Sequence, residues 1–243
     1  KLVLSAAGAN FMTGLVGNVS IPTYDGSTVG WAGEVDAAAD GAGTFGEVEL
    51  SPKRLTAYVD ISKQFLIQDS VSAEALLRKD IVDAISNKLE ATILGAEAGS
   101  TTKPAGLFNA VVADEADITY KDIVAMEQKL EEANVSGNIT FIASPYAKAT
   151  LKTTAIGGTK SDVRMLMDSG EVDGYPVLVT NGMAKKGLIL GNFNDLVIGQ
   201  WGGIDLTVDP YTQAANGKIR LVVNVYFDAK PQRAASFVKK ELK

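Results

Sequence analysis

The sequence predicts an α+β fold, and three observations carry that expectation. Residues 72–97, SAEALLRKDIVDAISNKLEATILGAE, hold one long amphipathic pattern of helical period. Two stretches, 54–61 and 219–228, alternate between two faces with the period of a half-buried strand. Between them, residues 117–208 mix short helical and short apolar strand patterns, which predicts a second core there.

The chain opens with KLVLSAAGANFMTGLVGNVSIP, apolar but punctuated by glycine, which reads as an arm that packs against something else. A long two-stranded excursion follows: Val29 and Trp31 lead out, residues 36–46 form an Ala- and Gly-rich tip, and Val48 and Leu50 return. After Pro52, Leu55, Ala57, Val59 and Ile61 share one strand face and Arg54, Thr56, Tyr58 and Asp60 the other. Proline cannot donate to a ladder, so this stretch belongs at a sheet edge or a bend.

In the long helix Leu77, Ile81, Ile85, Leu89 and Ile93 recur every four residues, Ser72 is placed to cap it, and Glu74 suits its first turn. At 1.5 Å per residue it would run about 40 Å, with Gly95 weakening its end. Residues 99–119 read as a loop-rich connector. Thr119 and Asp122 then resemble a capping box for a helix buried through Ile123, Met126, Leu130 and Ala133. NITFIASPYAKATLK gives a strand at 139–143 and a helix capped by Ser144 with Pro145 at its first position. AIGGTKS reads as a mobile loop, and strands are expected at 177–180, 188–190, 196–198 and 206–208. The last strand sets Ile219, Leu221, Val223, Val225 and Phe227 against Arg220, Val222, Asn224, Tyr226 and Asp228. The tail AKPQRAASFVKKELK has five basic residues and one acidic, whereas residues 114–132 have seven acidic and two basic. Solvated surface is the plain expectation for both, and complementarity between neighbouring copies the alternative.

Composition excludes whole classes of chemistry. The 243 residues, 46% hydrophobic, suffice for one large domain or two ordinary ones. A formal charge of −6 argues against gripping nucleic acid through the overall field. Without cysteine there are no disulfides or thiolate sites, and without histidine no Ser-His-Asp arrangement, His-based zinc site or imidazole base. No apolar run reaches the length of a membrane span, so a soluble protein without a membrane partner is expected. A start at Lys1 in place of methionine fits either a processed product or a truncated chain.

Gly41, Gly43 and Gly46 match the dinucleotide spacing G-x-G-x-x-G, but their context does not. EVDAAAD before them is not a buried parallel strand, and EVELSP after them is a strand pattern where a helix should open. Glu131 and Glu132 point in different directions on a helix, and there is neither a nucleophile elbow nor a P-loop. Asp80 and Asp83 offer too few oxygens for a cation, so no metal or cofactor is expected. Trp31 and Trp201 lack clustered cations around them, which favours packing over base stacking. A long hairpin is marginal alone in water, so the excursion needs a surface to lie on. With the long helix and the apolar arm, it favours a subunit that interlocks with copies of itself.

The ordered series GLVGNVSIP, WAGE, FGEVELSPKRLTAYVDISKQFLIQDS, ALLRKDIVDAISNKLEATILGAEAG, KPAGLF, ITFIASPYAKATLK, GYPVLVT and FDAKPQRAASFV resembles the major capsid proteins of tailed bacteriophages, with the Hong Kong 97 type fold. The resemblance implies an N-terminal arm (1–27), an extended loop (28–58), a peripheral domain (59–116 and 207–243) whose spine helix is 72–97, and an axial domain (117–206). It implies pentamers and hexamers in an icosahedral phage or prophage shell, assembled in the bacterial cytoplasm around packaged DNA, with a portal among its partners. Removal of an N-terminal scaffolding segment would fit the start at Lys1. Some members crosslink through a loop lysine and a neighbour's asparagine. Here residues 35–52 hold no lysine, Asn216 lies near the acceptor region, and Lys53 is far down the return leg, so a non-covalent shell is expected. Trp31, Glu34, Phe45, Lys53 and Arg54 are the candidate intersubunit contacts. An encapsulin-type nanocompartment is the alternative, and a nucleotide-binding enzyme a remote one.

Overall fold

The computed structural model describes residues 2–24, 26–35, 37, 39–64, 72–109, 111, 117–157 and 164–243, with only the backbone of 72–75. Two sheets carry the body of the chain. The first has the order β1 (Asn10–Met12), β9 (Leu196–Asp209), β10 (Lys218–Pro231), β4 (Lys53–Ser62); β1 runs parallel to β9 and the other pairs are antiparallel. The second has the order β11 (Phe237–Glu241), β8 (Gly187–Asn192), β5 (Ile139–Ala143), β7 (Tyr175–Val179), β6 (Glu171–Val172). A separate two-stranded ribbon pairs β2 (Val19–Tyr24) with β3 (Phe45–Leu50).

Helix α2 (Ser72–Ile93) links the two sheets. Ile81 and Ile85 pack on Ile61, Leu221, Val223 and Val225 of the first sheet. One turn further, Leu89 and Ile93 join Ile142 and Ile189 of the second sheet and Leu4 of the short helix α1 (Val3–Ala6). The other face of the second sheet is covered by α3 (Tyr120–Glu132) and α4 (Pro145–Thr153), through Ile123, Met126, Leu130, Ala147 and Leu151. Strand alternation explains this division: Phe141 and Ala143 face one core, Ile142 the other. Burial on both faces makes β8 apolar at nearly every position.

Several local signals hold. Ser144 accepts the Ala147 N–H at 3.1 Å with Pro145 at the first helical position, and Asp122 accepts the Thr119 N–H at 2.7 Å. Pro52 stands at the bend between β3 and β4, and β4 is an edge strand. The Ser72 cap, Glu74, most of the AIGGTKS loop and residues 114–116 of the acidic tract lie outside what is described.

Other expectations are revised. The long helix ends at Ile93 and not near residue 97, because the 106–108 turn captures its last carbonyls: Leu107 N–H donates to Ile93 at 2.7 Å and Phe108 N–H to Gly95 at 3.0 Å. The strands expected at 196–198 and 206–208 are parts of one strand, β9. The start of the arm packs on its own chain, with Leu4 fully buried and the Val3 N–H bonded to buried Glu90 at 2.8 Å. Asp228, expected on a polar face, is buried because the Ser51 bend and Lys53 close over that face of β10. The basic tail is solvated surface only in part: Lys230, Arg233 and Lys243 are exposed, but the tail also forms β11, buries Phe237 and Leu242, and sets Lys240 against Asp122 at 3.0 Å.

Candidate functional site

The excursion's outgoing leg is β2, ahead of Val29 and Trp31 where the apolar pattern had placed it. The sequence pattern puts residues 19–22 in the arm, yet they pair as a strand, and an edge strand tolerates Pro22. In the β2–β3 pair, Tyr24 faces Phe45 with ring centroids 4.6 Å apart. Past the strands the legs stay in contact: Thr28 N–H donates to Gly41 at 2.9 Å. A Cβ on Gly41 would stand 1.9 Å from the Thr28 carbonyl oxygen, and one on Gly43 2.0 Å from that of Gly26. Glycine is required there because two backbones meet. The Tyr24 hydroxyl bonds Ser27 Oγ at 2.6 Å and accepts the Gly43 N–H at 2.9 Å, and these two contacts hold it below the usual phenol range. The segment after Gly46 is strand β3, so no helix opens there to hold a pyrophosphate.

This ribbon is rooted firmly and capped with apolar side chains. At its root, Leu50 is fully buried against Val197 and Trp201, and Trp201 Nε1 donates to the Gly17 carbonyl at 2.6 Å. Packing therefore accounts for Trp201. Trp31 is the opposite case: it, Val29 and Val35 are fully exposed, Phe45 is 83% exposed, and Glu34 beside them is exposed too. No described residue of the same chain covers Trp31, so the packing expected of it does not occur within one chain.

Beyond the Pro52 bend, Lys53 Nζ lies 2.7 Å from Asp228 Oδ2, both side chains largely buried. Asp228 also accepts the Ser51 and Ala229 N–H groups, each at 3.0 Å. Next to this pair is a cleft of about 210 Å³. Leu55, Leu89, Pro104 and Phe227 give it apolar walls, and Lys53, Arg54, Lys88 and Lys103 surround it with Glu97 as the one carboxylate. Lys103 is hydrogen-bonded to Glu97 and holds that carboxyl below its usual range by this bond and by its charge. Arg54 and Lys88 enter no ion pair among the described residues.

The sequence-predicted contacts thus fall into two groups: Trp31, Glu34 and Phe45 on the ribbon, Lys53 and Arg54 at the cleft. None of the first three lines the cleft of its own chain. Sequence reasoning missed Lys88, Lys103 and Pro104, which reach the cleft from α2 and the connector after it. The signals available were a lysine on the polar face of α2 and the KPAGLF motif that carries Lys103 and Pro104.

The model of the phage capsid family matches residues 2–241. The chain belongs to the phage capsid family. It is 28% identical to the major capsid protein of Halomonas phage phiHAP-1 over 98% of this chain and 40% of the relative. This capsid-family chain spans less than half the length of the curated relatives it matches. Among solved structures it is similar to the capsid of the native GTA particle, with a TM-score of 0.75 at 17% identity over 97% of this chain and 87% of that one. A chain from Microbacterium phage Oxtober96 gives a TM-score of 0.76 at 12% identity, covering 100% and 91%. The α+β fold is therefore of the Hong Kong 97 type, as the ordered motifs implied.

Proposed function

We propose that this capsid-family chain is the repeating subunit of an icosahedral phage or prophage shell, built from pentamers and hexamers by multivalent self-association. One observation carries the reading: a well-rooted ribbon presents Val29, Trp31, Val35 and Phe45 to solvent. Such a cluster is an association hazard unless a partner covers it, and many modest contacts of this kind combine into a stable closed assembly. The role is structural. In place of the bounds 1–27, 28–58, 59–116 with 207–243 and 117–206, residues up to 18 serve as arm and the ribbon over 19–52 as extended loop, while the first sheet with α2 forms the peripheral domain and the second sheet, β11 included, with α3 and α4 the axial domain. The shell assembles in the bacterial cytoplasm, encloses DNA without reading its sequence, and joins a portal. Trp31, Glu34, Phe45 and Arg54 contact the neighbour, while Lys53 supports the loop from within its own chain.

The shell is held without covalent crosslinks. Residues 35–52 contain no lysine, the Lys53 amine is held by buried Asp228, and Asn216 donates to Gln213 at 2.7 Å. Sedimentation velocity on the full-length protein tests the assembly reading: large closed particles are expected, and a monomer persisting at high concentration refutes it. Particles boiled in detergent should run as a single monomer band; a covalent ladder refutes the non-covalent reading.

A further inference from the structure

We propose that Asn216 is a site of spontaneous modification, at which the backbone nitrogen of Gly217 attacks the side-chain amide and converts it, through a cyclic imide, into an aspartyl or isoaspartyl residue. The inference stands apart from the assembly reading.

Two Asn-Gly pairs occur in the sequence, Asn181–Gly182 and Asn216–Gly217. A following glycine favours the attack, because no side chain shields its nitrogen and its backbone turns freely. The fold separates the two pairs. Gly182 is pressed against α2, where an added Cβ would lie 3.2 Å from the Ala91 nitrogen and 3.4 Å from Glu90 Cγ. Its N–H is held by the Thr180 hydroxyl oxygen at 3.0 Å, and Thr180 is itself bonded to buried Glu90. Just beyond, the Ala184 N–H donates to the Leu94 carbonyl at 3.1 Å. Moving the Gly182 nitrogen onto Asn181 Cγ would pull this turn off the core.

Asn216 and Gly217 instead lie exposed in the 210–217 turn between β9 and β10, with open space around Gly217 and its φ at +63°. The bonds on the attacking nitrogen and on the leaving amide are both local. Gly217 N–H donates to the Ala214 carbonyl at 3.1 Å, and Asn216 Nδ2 to Gln213 Oε1 at 2.7 Å. A longer tie, from the Lys63 N–H to the Gly217 carbonyl at 2.9 Å, lies past the attacking nitrogen. Exposed hydrogen bonds at a hairpin tip open at far lower cost than those of a core strand. Once hydroxide has taken its proton, the Gly217 nitrogen bonds to Asn216 Cγ, the Cγ–Nδ2 bond breaks and ammonia leaves. Water then opens the imide at either carbonyl, so the chain loses ammonia and gains water with no oxidant or reductant. Both products add a carboxylate to a turn that Asp209 already anchors through the Tyr211 and Thr212 N–H groups. The isoaspartyl form also adds a methylene to the backbone just ahead of β10.

Peptide mapping by mass spectrometry tests the proposal on the full-length protein held as free subunits. Asn216 should gain one mass unit at least about tenfold faster than Asn181, and faster still in mildly alkaline buffer. In urea the two pairs should react at similar rates, since the fold sets the difference. Asn216→Gln should stop the gain at that position. A folded protein in which Asn216 stays intact, or in which Asn181 reacts as fast, overturns the proposal and leaves the assembly reading standing.

Discussion

Asp228 shows how one residue fixes the base of the ribbon. Its carboxylate is 1% exposed and holds Lys53 on β4 together with the Ser51 N–H at the bend, so it ties β10 to the point where the ribbon leaves the sheet. Removing one partner of a buried pair strands the other charge, and Asp228→Ala should cost about 3–5 kcal/mol in urea unfolding. Lys53→Met leaves the more deeply buried Asp228 carboxylate with only the Ser51 and Ala229 N–H groups, so it should cost a similar amount. Gly41→Ala separates folding from assembly. Its Cβ would enter the Thr28 carbonyl, so the ribbon must open, yet no core residue is involved. Assembly should fail while stability stays within about 0.5 kcal/mol of the parent, measured by the same unfolding experiment.

At the level of elements, α2 and β11 do the joining. Ile85 sits between α2 and the first sheet, and Ile85→Ala should cost about 2–4 kcal/mol by chemical denaturation. β11 is tied to α3 by Lys240 and Asp122. Burial raises the Asp122 pKa, but hydrogen bonds from Thr119 and Lys240 outweigh it and leave the carboxyl below its usual value. A depressed folded-state pKa contributes stability that is present above the unfolded value of about 3.9 and lost as pH falls through the folded one. Hydrogen exchange in β11 should therefore quicken below about pH 4, and Asp122→Asn should lack that added acid sensitivity. Strand β4 and the bulk of α2 were legible because each repeats its own period over many residues. The helix end was not, because it depends on the 106–108 turn arriving from outside. The burial of Asp228 was equally invisible, because it depends on the Ser51 bend and Lys53 closing over β10. Trp31 stood out in the sequence as a tryptophan in a glycine-rich stretch, whereas the cleft exists only once α2 and the connector meet β4.

For the whole molecule, an exposed apolar ribbon and a basic slot make a surface suited to a second copy at each end. Such contacts should weaken as salt shortens the screening length from about 10 Å at 0.1 M to about 3 Å at 1 M, so assembly should slow with ionic strength while monomer stability hardly changes. The central claim is self-assembly into a closed shell, and negative-stain electron microscopy of the full-length protein tests it most directly. Uniform closed particles are the predicted result, and fields of separate monomers at high protein concentration would contradict it.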